Sequence, residues 1–230
     1  MESPAVVSRA FFKLYSLKVI VSILVCFLSF QLTFAQQRIV AECTVVYKVE
    51  SQDASDASVQ LKATKTVYIK SNNARIDLVA PAYAQSTIYN KTTATATVLR
   101  SFGEDKYMTP LNGQQWRKVN AGLDSIQMQI TGDSISILDY TCKKAVLQLK
   151  DGTQVIVFFT PAIIPSVREY EYMFKDIPGF VLWYEMKDGD GKRTMFSATQ
   201  INLYNPVAAS RFDIPTKEYR VIEMEASRIR

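Results

Sequence analysis

The chain contains no histidine. That absence removes the commonest general base, the usual zinc ligand and the base of a Ser-His-Asp triad together. No G-x-S-x-G, S-x-x-K, G-x-G-x-x-G or Walker sequence occurs either, so nucleophilic or phosphate-cradling chemistry would need another arrangement. Glycine and proline are sparse, 8 of each in 230 residues, which excludes collagen-like and low-complexity classes. At 48% hydrophobic and 21% charged the chain is not disordered. Cysteine is scarce, with 3 residues and no C-x-x-C, so neither a thioredoxin-like redox motif nor a cysteine zinc site is expected. These absences argue against an enzyme, and no cofactor is expected.

Long apolar runs are also missing, with one exception. Val19–Phe30 is apolar or small throughout, follows Arg9, Lys13 and Lys18, and leads to Thr33-Phe34-Ala35. A basic stretch, a short apolar core and small residues at −3 and −1 form a secretory signal, with cleavage expected after Ala35. The core is short against the ~20 residues of a bilayer span, and Val25 before Cys26 does not suit lipid attachment. Residues 1–35 are therefore expected to be a signal peptide and 36–230 a single exported domain.

Without that segment the chain stays mildly basic, yet Lys62, Lys65, Lys70 and Arg75 are interleaved with other residues. No clustered stripe of the kind nucleic-acid binding needs is present. These lysines are expected on a solvated sheet face. Loss of Cys26 leaves Cys43 and Cys142, an even pair in an oxidising compartment. A disulfide between them is expected; it would close about 100 residues and stabilise by roughly 4–5 kcal/mol. The alternative is two buried thiols, since cysteine packs as a small hydrophobe.

Ile39, Ala41, Cys43, Val45, Tyr47 and Val49 alternate with mostly polar residues, which predicts a long half-buried strand over 39–50. Strands are expected at 59–70, 75–79, 86–89 and 95–100, with Ser71-Asn72-Asn73 and Asn90-Lys91 as turns, giving an antiparallel meander. Asp151-Gly152 between β-formers predicts a type I′ hairpin joining 147–150 to 153–159. A second hairpin joins 180–186 to 194–203 through Asp188-Gly189-Asp190-Gly191. That loop resembles the start of a calcium site but lacks the distal ligands, so a plain turn is expected. Ser166 with Glu169 reads as a capping box, and Val167, Tyr170 and Phe174 follow at helical spacing, predicting a helix that ends at Ile177-Pro178-Gly179. A further short turn over 121–129 and a strand over 219–224 complete the reading. The expected fold is α+β and mainly β: a single antiparallel sheet of about ten strands, curled into an incomplete barrel, with one or two short helices against it.

Aromatic residues are the remaining signal. Tyr170, Tyr172, Phe174, Phe180, Trp183 and Tyr184 lie within fifteen positions. On the strand, Phe180, Leu182 and Tyr184 face one way and Val181, Trp183 and Glu185 the other. One side packs the core and the other can line a groove for an acyl chain. Tyr170, Phe174, Phe180, Trp183 and Tyr184 are the candidate ligand-binding residues; the alternative is that they only glue helix to sheet.

Several segments resemble the outer-membrane lipoprotein carrier (LolA-like) superfamily and, within it, envelope proteins of the GLPGLI kind. They are Val67–Asp77, Thr87–Lys91, Lys106-Tyr107-Met108, Ile137–Ala145 (similar to I-x-G-Y-x-C-K-K-A, with Asp139 for the glycine), Asp176–Val181 at the G-L-P-G-L-I position, and Arg211–Pro215. The resemblance implies an incomplete barrel around an apolar cavity capped by helices. In the carriers that cavity holds lipoprotein acyl chains. The chain departs from them in having no amphipathic helix before its first strand. The partners implied are a hydrophobic small molecule or lipid, an envelope protein, and peripheral contact with a membrane. A structural or interaction module whose exposed strands pair with another protein is the alternative reading.

Overall fold

A computed structural model describes residues 37–52, 60–187, 191–215 and 217–224. The expected signal segment 1–35 and the tip of the Asp188–Gly191 loop at 188–190 lie outside the described residues. The chain begins with β1 (Arg38–Val40), β2 (Glu42–Gln52) and β3 (Gln60–Lys70), then β4 (Asn73–Ala80), β5 (Tyr83–Asn90), β6 (Thr95–Phe102) and β7 (Asp105–Leu111). Among the described residues a single α-helix, α1 (Gly113–Asn120), precedes β8 (Gln127–Ile137), β9 (Tyr140–Gln148), β10 (Gln154–Thr160) and β11 (Ile163–Pro165). Two single-turn 3-10 segments, Arg168–Tyr170 and Tyr172–Phe174, lead to β12 (Phe180–Lys187), β13 (Arg193–Asn202) and the short β14 (Arg220–Val221).

Twelve strands form one sheet in the order β14-β7-β6-β5-β4-β3-β2-β13-β12-β10-β9-β8. It is antiparallel except where β14 runs parallel to β7. From β2 to β6 it is the expected meander, each strand beside the one before it, and β7, a strand the sequence reading did not include, continues it. The second half joins through β13, which pairs with β2. The two terminal strands of that order, β14 and β8, are not paired with each other. Among the described residues the fold is mainly β, with one short α-helix against the sheet, and the sheet does not close.

The strands follow from alternation. Cys43, Val45, Tyr47 and Val49 of β2 are buried, and their cross-strand partners Ile69, Val67 and Lys65 of β3 are buried with them. Alternation fails at Ala41. There the chain breaks away so that β1 can pair in parallel with β11 (Ile39 with Ile164), leaving Ile39 71% exposed and Val40 buried. The expected continuous strand over 39–50 is therefore two strands.

The predicted helix from Ser166 to the Ile177-Pro178-Gly179 stop does not form. Ser166 gives its hydroxyl to the Ser71 carbonyl (2.7 Å), Val167 is extended, and Glu171 is extended at φ −132°, which splits the segment into its two short turns. The buried residues of that reading, Val167, Tyr170 and Phe174, are nevertheless buried. The α-helix lies instead at Gly113–Asn120. Asn112 Oδ1 accepts from the amides of Gln114 and Gln115 (3.0 Å each), and the Asn112 amide donates to Gln115 Oε1 (2.9 Å), a complete capping box. The N-x-x-Q signal was in the sequence, but with Trp116 its single buried residue the helix has too narrow an apolar stripe to announce itself.

Two turns differ in type from expectation. At Asp151-Gly152 only the glycine has positive φ (+87°), and the Gly152 amide closes on the Leu149 carbonyl, so the loop is longer than a two-residue type I′ turn. Left-handed backbone at both central residues occurs instead at Leu138 (φ 49°) and Asp139 (φ 66°), between β8 and β9.

No disulfide joins Cys43 and Cys142; both are free and buried. Cys43 is on β2 and Cys142 on β9, with β13, β12 and β10 between them. Four strand steps amount to roughly 19 Å along the sheet at ordinary spacing, whereas a disulfide holds its Cα atoms about 5.5–6 Å apart. Burial pushes the Cys43 thiol up to about 12 and the Cys142 thiol to about 11, so neither is a reactive thiolate at neutral pH.

Candidate functional site

The segment from Ser166 to Gly179 runs across one face of the sheet as a strap. It is fixed at its exit by Gly179, where an added Cβ would stand 2.2 Å from the Thr160 carbonyl oxygen. Only a residue without a side chain permits that approach of backbone to backbone. This gives the Pro-Gly centre of the sequence motif a packing function. Between the strap, α1 and the sheet lies a cleft of about 380 Å³. Its sheet wall is built from alternate positions of neighbouring strands, among them Ile76 and Leu78 of β4, Gln85 and Thr87 of β5, Tyr184 and Met186 of β12, and Phe196 of β13. Trp116 of α1 and Tyr170, Tyr172 and Met173 of the strap form the opposite wall.

Lys65 is in the cleft lining and only 3% exposed. Its ammonium donates to Glu171 Oε2 and to the Tyr184 hydroxyl (2.8 Å), and the Tyr184 hydroxyl donates to Glu171 Oε1 (3.2 Å). Three rings, Tyr184, Tyr47 and Phe196, surround the ammonium at 4.9, 5.3 and 5.4 Å. Burial lowers the Lys65 pKa, opposed by the Glu171 carboxylate. Burial pushes the Tyr184 and Tyr47 hydroxyls well above the ordinary tyrosine range, and the nearby Glu171 charge adds to it. Tyr47 donates to the Val181 carbonyl at 2.6 Å.

The expectation of a solvated lysine face is corrected here. Lys62 is exposed, but Lys65 shares the inward parity of Val67 and Ile69 on a strand with β2 and β4 on either side. Its ion pair is the cost of that position. A lysine interrupting an apolar alternation was the available signal, and its partner Glu171 is 106 positions away.

Of the sequence-predicted aromatics, four converge. Tyr170 stacks on Phe180 at 5.1 Å, and Phe174 meets Tyr184 edge-on at 4.9 Å. Tyr170 and Tyr184 line the cleft, while Phe174 and Phe180 pack in the core. Trp183 lies on the other face of β12, edge-on to Phe158 at 5.5 Å. Sequence reasoning missed Lys65, Glu171, Trp116 and Phe196.

The other motif residues hold the C-terminal segment. Lys70 bonds Glu42 (2.7 Å) and the Val207 carbonyl (2.8 Å), and Arg75 bonds Asp77 (2.6 Å) and the Arg211 carbonyl (2.7 Å). Among the described residues no group of three or more histidine, cysteine, aspartate or glutamate side chains could hold a metal ion, and no helix is long and apolar enough to cross a membrane.

No family model matches the chain, and no curated protein does. Solved structures with a similar course of the backbone include PNGF-II, at 14% identity and TM-score 0.48 over 80% of this chain. Pseudomonas aeruginosa MucB, solved in complex with MucA, is 12% identical with TM-score 0.42 over 79% of this chain. A LolA superfamily protein of Nitrosomonas europaea is 12% identical with TM-score 0.35, covering 79% of this chain and 92% of its own length. The chain spans only 32% of PNGF-II and 58% of MucB.

Proposed function

We propose that the chain is a non-catalytic binding or chaperone-like module of the Gram-negative periplasm, which holds a hydrophobic ligand such as an acyl chain in the cleft beneath the strap. Export follows from the signal-like segment ending at Ala35. The observation that carries the reading is the cleft itself: its volume falls within the range of small-molecule sites, and its walls are mostly apolar with few polar groups. In this reading the sheet acts as the wall of an incomplete barrel and the strap as its cover, as the sequence resemblance to LolA-like, GLPGLI-type proteins implies. Tyr170 and Tyr184 contact the ligand, Phe174 and Phe180 support them from behind, and peripheral membrane contact would deliver it. Mass spectrometry of lipid extracted from the purified protein tests this. One acyl species in stoichiometric amount supports it, and protein that is lipid-free and fails to bind a fluorescent fatty acid contradicts it.

A second reading, an interaction module of the envelope, has its own observation. β8 is an edge strand of 11 residues without lysine or proline, and Met128, Ile130 and Ile135 on it are exposed. Such an edge suits strand addition by a partner protein. Crosslinking from β8 that recovers one specific envelope protein, with lipid extracts empty, would favour it.

A further inference from the structure

The site's charge pairing says more about the ligand than its apolar walls do. Lys65 is a buried cation in the cleft lining, held in the interior of the sheet between β2 and β4, and it cannot withdraw. Glu171 differs: its side chain is 21% exposed and it sits on extended backbone between two single-turn segments of the strap. It can turn into water without breaking a helix or a strand. The Glu171 carboxylate accepts two hydrogen bonds, from the ammonium and from the Tyr184 hydroxyl, and both donors would suit any carboxylate at the position Glu171 now holds. The same lining holds another buried donor, and this one lacks a partner. The indole N–H of Trp116 bonds nothing among the described residues, although Trp116 is only 9% exposed.

Resting on the cleft reading above, we infer that the ligand is an anionic single-chain amphiphile whose carboxylate replaces Glu171 on Lys65 and Tyr184, while its alkyl chain lies along the apolar wall. Glu171 is then an internal stand-in for the ligand's head group. The exchange of one carboxylate for another keeps the site neutral, so the buried ammonium is never left without a counter-charge. A neutral head group cannot do this, because displacing Glu171 would strand the cation. The rings of Tyr47, Tyr184 and Phe196 hold the ammonium in place through the exchange.

Isothermal titration of the purified full chain with decanoate and with decan-1-ol tests the inference. The wild type binds decanoate about tenfold more tightly than the alcohol, the net of the bonds its carboxylate makes to Lys65 and Tyr184 over those Glu171 gives up as it returns to water. Lys65→Met binds both probes equally. Glu171→Gln removes the competing carboxylate and tightens decanoate binding severalfold while leaving decan-1-ol unchanged; should that variant fail to fold, the Lys65→Met comparison decides alone. Equal affinity of the wild type for acid and alcohol overturns the head-group assignment and leaves the apolar cleft standing. Binding of neither probe overturns the cleft reading and this inference with it.

Discussion

Lys65, in the middle of the sheet, and Glu171, on the strap that crosses it, form the most buried ion pair among the described residues, with side-chain exposures of 4% and 21%. The two ends of that pair are not equivalent. Removing Glu171 leaves a 3% exposed ammonium that cannot turn away from its place in the sheet, whereas removing Lys65 leaves a carboxylate that can reach water. Glu171→Ala is therefore expected to lower stability by about 3–5 kcal/mol, and Lys65→Met, which fills the same space with apolar atoms, to be near neutral or stabilising. Chemical denaturation of both variants checks the asymmetry; equal losses would contradict it.

Buried tyrosines set the response to base. Tyr47, Tyr170 and Tyr184 all have hydroxyl pKa values raised well above the model-peptide value of 10.0, first by burial. A group whose folded pKa is raised contributes stability that is present below its unfolded pKa and lost as pH rises toward the folded value. Stability is thus expected to fall steeply above about pH 10, with tyrosinate absorbance appearing together with unfolding. Lys65 acts in the opposite sense below its unfolded pKa, but it is one group against three. Smooth ionisation of all the tyrosines in a still-folded protein would contradict this.

The strap's exit depends on Gly179. Adding one methyl sets a carbon 2.2 Å from the Thr160 carbonyl oxygen, so Gly179→Ala must displace β12 or β10. A loss of about 3 kcal/mol is expected, the upper end for overpacking. Thermal denaturation reads it, and an unchanged melting temperature would show that the two strands can part there at no cost.

At the tip between β8 and β9 the sequence works against its own turn. Leu138 and Asp139 both have positive φ, where a branched aliphatic side chain is strained. Leu138→Asn and Asp139→Gly should each stabilise by about 1 kcal/mol, since Asn-Gly is the preferred pair for such a turn. Two denaturation curves suffice to check it.

What the sequence disclosed depended on the range of the interaction. The meander from β2 to β6, the hairpin of β12 with β13 and the aromatic concentration at Tyr170–Tyr184 arise from alternation and turns within a few residues, and they could be read directly. The helix from Ser166 to the Ile177-Pro178-Gly179 stop was misread because Val167, Tyr170 and Phe174 are spaced as a helix would space them, while Glu171 is drawn into an extended conformation by a lysine 106 positions earlier. The expected Cys43–Cys142 disulfide failed for the same kind of reason. Parity and compartment said nothing of the three strands that separate the thiols in the sheet. Cys43 and Cys142 should accordingly resist labelling in the native state and label fully on unfolding without reductant, and reductant should leave the melting temperature unchanged.

The central claim is that an apolar chain enters the cleft, and the two tryptophans make it measurable, because Trp116 lines the cleft and Trp183 lies on the opposite face of its strand. In a Trp183→Phe variant all indole fluorescence comes from Trp116, and titration with a bromine-labelled fatty acid should quench it saturably at one equivalent. Emission that is unchanged by the brominated chain, or that falls only linearly as collision in solution would cause, would contradict the account.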